Sequence, residues 1–173
     1  MRSHNGMRPQ DIVVLLKIIS YKESEWNVRA ISNDLFLSPA EITHSLNRCV
    51  LAKLLDTNKK EVYRNNLYDF LTNGIMYVFP VRPGAIVRGI VTGSSAVNIA
   101  EKLVSEDIYV WPYDDGNIRG QEIRPLYKNI PQAAERDSNL YELLCLIDML
   151  RIGKIREVKV AKEKLYKLIF DEK

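Results

Sequence analysis

The chain has 173 residues, of which 46% are hydrophobic and 27% are charged. This balance excludes a wholly disordered chain, a collagen-like chain and a coiled-coil rod, and no apolar run approaches the ~18 residues of a membrane span. The net charge is only +3, but both ends are basic and the middle is acidic. Basic ends are compatible with a polyanionic partner and do not require one.

Cysteine content and the N-terminus bear on location. Two cysteines, Cys49 and Cys145, do not make a disulfide framework. The first six residues are mostly polar, unlike a secretory signal. Met7 looks like a second start, so we expect the fold to begin after residue 6. We expect a cytoplasmic protein with no membrane partner.

Helical spacing and capping residues organise the N-terminal half. Apolar residues recur three and four positions apart after Pro9, and Asn27 suits the cap of a short second helix. Ser38-Pro39-Ala40-Glu41 combines a capping box with proline at the first helical position, so it opens a third helix. Helices are predicted over about residues 9–21, 28–35, 39–54 and 66–72.

The remaining chain divides at about residue 130. Residues 80–130 hold four of the seven prolines and five of the eight glycines, with β-branched residues near 86–91 and 109–111. We expect short strands there, and a short helix over 96–104. Within this segment Val87-Arg88-Gly89-Ile90 is echoed by Ile118-Arg119-Gly120-Gln121, which is too little to establish a repeat. Helical patterning returns at Pro131 and predicts helices from about 138 to 151 and from 155 to 170.

Three helices with a very short turn between the second and third describe a helix-turn-helix. On a helical wheel of the third helix, Ile42, Leu46, Cys49 and Val50 face the core, whereas His44, Asn47 and Arg48 point outward together. Arginine pairs with guanine and asparagine with adenine in the major groove. The DNA-binding residues are expected to comprise these three, with Ser38 and Thr43 near the helix start on phosphates.

Basic residues around this unit extend the expected interface. Lys59, Lys60 and Arg64 follow the third helix where a winged-helix protein has its wing, and Arg29 lies on the second helix. Such side chains would contact backbone phosphates. The alternatives are a solvated charged loop and an ordinary amphipathic helix that serves packing or protein contact.

The segment from Gln10 to Asp56 resembles the winged helix-turn-helix of MarR-like bacterial transcription regulators. The resemblance is carried by Val28-Arg29-Ala30-Ile31-Ser32, by Leu37-Ser38-Pro39-Ala40-Glu41-Ile42, and by the Leu46…Leu54-Leu55 end of the third helix. It covers about a third of the chain and implies DNA binding, usually as a homodimer, and repression of transcription. After Leu55 there is no strand–turn–strand pattern for a wing.

Other chemistry has little support in the sequence. Arg82, Arg88 and Arg119 with Trp111 and Tyr113 would suit an anionic ligand, but we favour Trp111 in the core. In that interpretation the arginines pair with three acidic neighbours, namely Asp114, Asp115 and Glu122. We expect no enzyme, no cofactor and no metal, because the chain has no dependable histidine base, no glycine-rich phosphate loop and no zinc spacing.

The expected fold is therefore mainly α. A winged helix-turn-helix domain covers residues 8–79, a loop-rich segment with short strands covers 80–130, and C-terminal helices for packing or dimerisation cover 131–173. The expected function is sequence-specific binding of double-stranded DNA by a bacterial transcriptional regulator, with helix 39–54 in the major groove and a homodimer reading two half-sites. The alternative is a protein–protein adaptor or antitoxin-like partner that uses the helix-turn-helix as a packing unit.

Overall fold

The structure, a computed structural model, describes residues 6–22, 24–96 and 107–170. It is mainly helical with a small three-stranded sheet. The helices are α1 (Pro9–Ser20), α2 (Val28–Leu35), α3 (Pro39–Leu51), α4 (Arg64–Asn73), α5 (Ile75–Val78), α6 (Ile130–Arg136), α7 (Ser138–Ile152) and α8 (Ile155–Phe170). The strands are β1 (Ile86–Val91), β2 (Tyr109–Pro112) and β3 (Ile118–Glu122). The short helix predicted over 96–104 lies outside the described residues, apart from its first position.

Helix α1 forms the centre of the molecule. Every residue from Asp11 to Ser20 is buried, because α2, α3 and α7 pack around the helix. A helix enclosed on all sides needs no polar face, which explains why the sequence from Ile12 to Ile19 is almost continuously apolar. The three polar residues within it are paired or hydrogen-bonded, as burial requires.

The starts of α2 and α3 follow from their capping residues. Asn27 accepts the backbone N–H of Ala30 at 2.9 Å, and the capping box between Ser38 and Glu41 is formed as predicted. Helix α3 ends at Leu51 rather than at Leu54, because the backbone takes a left-handed conformation at Lys53 (φ 58°). This change of direction allows Leu54 and the next leucine to turn into the core.

The C-terminal helices pack against the N-terminal ones. Asp137 caps α7 by accepting the N–H of Leu140, and α7 ends at Gly153, where φ is 80°. Helix α7 lies against α1, and α8 lies against α4 and α7. All three predicted segments contribute to one hydrophobic cluster, so the C-terminal pair packs against the rest of the chain. Among the helices described, none combines the length and apolar character needed to cross a bilayer.

The three strands close into a very small barrel. Strand β1 pairs antiparallel with both β2 and β3, which are parallel to each other. Closure depends on glycine, because a Cβ on Gly89 would overlap the carbonyl oxygen of Trp111, and one on Gly120 would lie 2.5 Å from the carbonyl oxygen of Ile108. The two echoed sequence words lie directly opposite each other, with Arg88 paired to Arg119 in the register.

A buried polar network attaches the barrel to the helices. The Asp148 carboxylate of α7 accepts hydrogen bonds from the Trp111 indole at 2.6 Å and from Thr92 and Arg151 at 2.8 Å. The Arg151 guanidinium also donates to the carbonyl oxygens of Phe79 and of residue 124. Trp111 is therefore a core residue, as expected, and the barrel is fixed to α7 by side chains of both partners.

Candidate nucleic-acid interface

The solvent side of α3 presents a continuous polar surface. We define the α3 surface as Thr43, His44, Asn47 and Leu51, all of which are exposed. The side chains of His44 and Asn47 make no hydrogen bond to any other part of the chain that the structure describes. Both are therefore available to a ligand, as the helical wheel predicts, while Leu51, 65% exposed, adds an apolar edge.

Arg48 does not join this surface, and the prediction that it points outward is wrong. Its Nε and Nη2 atoms donate to the two carboxylate oxygens of Asp11 at 2.8 and 2.6 Å, and Nη2 also donates to Ser45. The Arg48 side chain is only 12% exposed and Asp11 is fully buried. A buried carboxylate requires such a partner, so Arg48 joins α3 to α1 instead of facing a ligand.

The N-terminus of α3 does not offer a free binding site for a phosphate either. The Ser38 hydroxyl accepts the Glu41 N–H at 3.2 Å and donates to the Glu41 carboxylate at 2.9 Å. The backbone N–H of Ser38 also donates to that carboxylate and lowers the pKa of Glu41. A carboxylate thus occupies the position predicted for a phosphate, so the role expected of Ser38 is not available to it. The Thr43 hydroxyl donates to the Pro39 carbonyl and keeps an exposed oxygen.

A short hairpin follows α3, at the position where the sequence predicted a wing. Leu55 forms an isolated antiparallel bridge with Val62, although the sequence showed no strand pattern there. The turn between them is ordered by the Asp56 carboxylate, which accepts three backbone N–H groups, so the pKa of Asp56 lies below its usual range. Lys60 is exposed and Lys59 half-buried, and neither ammonium group has an ion-pair partner among the residues described.

The other two predicted phosphate contacts have different surroundings. The Arg64 guanidinium donates to the carbonyl oxygen of Ile169 and so ties the start of α4 to the end of α8. The sequence placed Arg64 among the phosphate contacts, but its guanidinium is already engaged by this carbonyl oxygen. Arg29 is exposed on α2, as expected. The prediction thus holds for the placement of Arg29 and Lys60 at the surface and fails for Arg64.

Three residues near the α2–α3 turn were not found from the sequence. Asn129 donates to the carbonyl oxygen of Phe36 at 3.1 Å, and the Arg136 guanidinium lies 4.4 Å from the centre of the Phe36 ring. Lys128 is close enough to Glu41 for its charge to lower the pKa of that carboxyl further. They lie more than 80 residues further along the chain than this turn, so no local spacing could have indicated them.

The arginines of residues 80–130 are not neutralised as expected. Arg82, Arg88 and Arg119 are exposed and form no ion pair or side-chain hydrogen bond within the described ranges. The prediction that they pair with Asp114, Asp115 and Glu122 is therefore wrong. In β3, Glu122 lies on the face opposite to Arg119, since alternate residues of a strand point to opposite faces.

No protein-family model, curated protein or solved structure matches the chain. A function has to be inferred from the side chains that the fold brings to the surface, because a fold by itself does not determine one.

Proposed function

We propose that this chain is a non-enzymatic, sequence-specific binder of double-stranded DNA, a cytoplasmic regulator of transcription of the bacterial winged helix-turn-helix type. The observation that carries the proposal is the pair His44 and Asn47. These side chains lie three residues apart on one side of α3, exposed and free of hydrogen bonds within the described chain. Asparagine can bind adenine through both of its polar atoms, and a histidine can donate to or accept from a base edge.

The rigid attachment of α3 supports this role. Its opposite face is buried through Ile42, Leu46 and Cys49, and the Arg48–Asp11 pair fixes its rotation about its own axis. A reading helix has to hold its side chains in fixed positions, because hydrogen bonds to base edges tolerate little displacement.

Basic residues, all exposed except the half-buried Lys59, precede or follow the α3 surface and suit contacts to phosphates. Arg29 lies before it and Lys59 and Lys60 after it in the chain, and Lys128 lies near its first turn. The Thr43 oxygen can accept a hydrogen bond from a bridging water. Few phosphates can be neutralised by so few cations, so one copy alone would bind weakly at physiological salt.

A homodimer would supply the second reader. Tyr77 on α5 is 76% exposed and Ile155 at the start of α8 is 89% exposed. The Met76 side chain lies beside Gly153, the residue that ends α7. Exposed apolar side chains are typical of an association surface, and we propose that a second copy covers these.

Selection of random duplex DNA at about 100 mM salt tests the function. We expect an enriched palindrome with half-sites about ten base pairs apart. Asn47→Ala should relax the choice of one base in each half-site and weaken binding by about 1 to 3 kcal/mol. Asn139→Ala, an exposed asparagine at the start of α7, is the matched control and should select the same sequence. Absence of any enriched sequence with the folded protein would refute the proposal.

The second candidate is a protein–protein adaptor or antitoxin-like partner. It is favoured by the exposed Leu51 and by the Glu41 carboxylate at the start of α3, since an apolar side chain and a negative charge suit a protein better than a phosphate backbone. The two functions differ in salt dependence. DNA affinity falls steeply as salt rises, whereas binding through Leu51 would change little.

A further inference from the structure

Two arginines face each other across the small barrel. Arg88 of β1 and Arg119 of β3 are direct partners in the antiparallel register, and both are exposed. Residues directly opposite in such a pair lie on the same face, with Cβ atoms about 5 Å apart. Neither guanidinium has an acidic partner in the described chain, although Asp114, Asp115 and Glu122 lie nearby in the sequence.

The barrel forces this pair of like charges to stay together. Like charges directly opposite on paired strands are destabilising. The strands cannot separate locally, because Gly89 and Gly120, the residues that follow the two arginines, are packed against the backbone of β2 and the residue preceding it. An anion bound between the two guanidinium groups would remove the repulsion, and two planar forks suit the oxygens of a phosphate.

We propose that Arg88 and Arg119 together bind one phosphate of the DNA backbone, at a site separate from the α3 surface. The choice of DNA as the ligand rests on the function proposed above. The geometry of the site rests on the barrel, which is a different part of the fold from α3. A polymer is favoured over a small phosphorylated molecule because the face is open. Ile86, the next residue on this face of β1, is 59% exposed, so no wall encloses the pair.

The test measures binding to a 30-base-pair duplex of arbitrary sequence over a series of salt concentrations. The variants are Arg88→Gln, Arg119→Gln, both together, and Arg156→Gln as the control, which removes the same charge from an exposed position of α8. We expect each barrel variant to bind about five- to tenfold more weakly at about 100 mM salt. The double variant should lose less than the product of the two single losses, and its salt slope should fall by about 1.

Thermal stability separates this role from a structural one. Removing one of two opposed positive charges should leave the melting temperature unchanged or raise it by roughly 1 to 3 °C while the DNA affinity falls. A structural arginine would show the reverse, a fall in both. Barrel variants that bind DNA like Arg156→Gln would overturn the proposal.

Two further outcomes distinguish the barrel site from the function of α3. If the wild type binds arbitrary duplex through the arginine pair but selects no sequence, the barrel site stands and the proposed sequence reading by α3 fails. If inorganic phosphate at constant ionic strength binds the wild type and not the double variant, while DNA affinity is equal in both, the site belongs to a small phosphate ligand and the DNA proposal is overturned.

Discussion

The N-terminal helices α1 to α3 and the small barrel use arginine in opposite ways. Among these helices, the Arg48 guanidinium donates to both oxygens of the fully buried Asp11 carboxylate and so does not join His44 and Asn47 at the surface. In the barrel, Arg88 and Arg119 are held side by side at the surface with no internal counter-charge among the described residues. An arginine that lies in a predicted binding region does not therefore contact the ligand. If the fold already supplies a carboxylate for it, the arginine stabilises the structure, whereas an arginine without an internal counter-charge is available to a partner.

The two regions also differ in what holds them together. Helices α1 and α3 are joined by interdigitating apolar side chains and by one buried ion pair. The barrel closes tightly because glycine occupies positions 89 and 120, where a Cβ would lie too close to backbone atoms of Trp111 and Ile108. Changes at these two kinds of contact should therefore act on different regions and by different mechanisms.

The largest effect is expected from Gly89→Ala. The added methyl group would overlap the carbonyl oxygen of Trp111, a backbone atom that cannot swing aside, so β1 and β2 would have to separate. We expect a loss of about 4 kcal/mol in the free energy of unfolding, measured by urea denaturation. Gly84→Ala is the matched control, because its Cβ would lie 3.4 Å from the Glu122 side chain and should cost under about 0.5 kcal/mol.

This substitution also tests how independent the two regions are. The network from Asp148 to Trp111 joins the barrel to α7, and α7 packs on α1. If Gly89→Ala unfolds the whole chain in one transition, the barrel belongs to the same cooperative unit as the helices. Equal stability of the two glycine variants would contradict the closure that we describe.

The next largest effect is expected from Arg48→Ala. It leaves the Asp11 carboxylate buried without its partner, which should cost about 3 kcal/mol of stability. Arg29→Ala, at an exposed position of α2, should cost under about 0.5 kcal/mol in the same urea titration. A loss of DNA selectivity by Arg48→Ala with wild-type stability would show instead that Arg48 leaves Asp11 to contact a base.

The helix ends of this fold could be predicted because their signals are local. Asn27 and Ser38 cap helices through hydrogen bonds to residues three positions away, and the sequence alone contains both partners. The buried face of α3 is likewise set by a spacing within one helix. The strands near 86–91 and 109–112 followed from β-branched residues, although their closure into a barrel did not.

The charged residues could not be placed in this way. A helical wheel gives the direction of the Arg48 Cβ but not the position of the guanidinium at the end of a long side chain, and Asp11 lies 37 positions earlier. The echo of Arg-Gly in β1 and β3 was visible in the sequence, yet only the register shows that the two words are opposed. Whether a charged side chain is neutralised depends on residues far away in the sequence, and no local sequence pattern contains those residues.

A buried ion-pair cluster joins the N-terminal helices to the C-terminal ones, and we expect its disruption to have the smallest effect on stability. The buried Lys17 of α1 pairs with Asp137 at 2.7 Å and with Asp34 at 2.9 Å. Burial alone would raise the pKa of Asp137, but hydrogen bonds from Lys17, from the Leu140 N–H and from Ser20 outweigh it and lower the pKa. The folded state therefore holds the ionised form more tightly than the unfolded state does.

Asp137→Asn should remove this contribution while keeping the cap of α7, because an amide oxygen can still accept the Leu140 N–H. A lowered pKa in the folded state stabilises the fold above about pH 4 and loses that effect as the pH falls through the folded value. We expect the variant to be about 1 kcal/mol less stable than the wild type at pH 6, since Lys17 keeps Asp34. The difference should shrink below about pH 3, as urea titrations at the two pH values would show. A difference that stays constant between them would mean that the loss is one of packing and that the charge of Asp137 contributes nothing to joining α7 and α1.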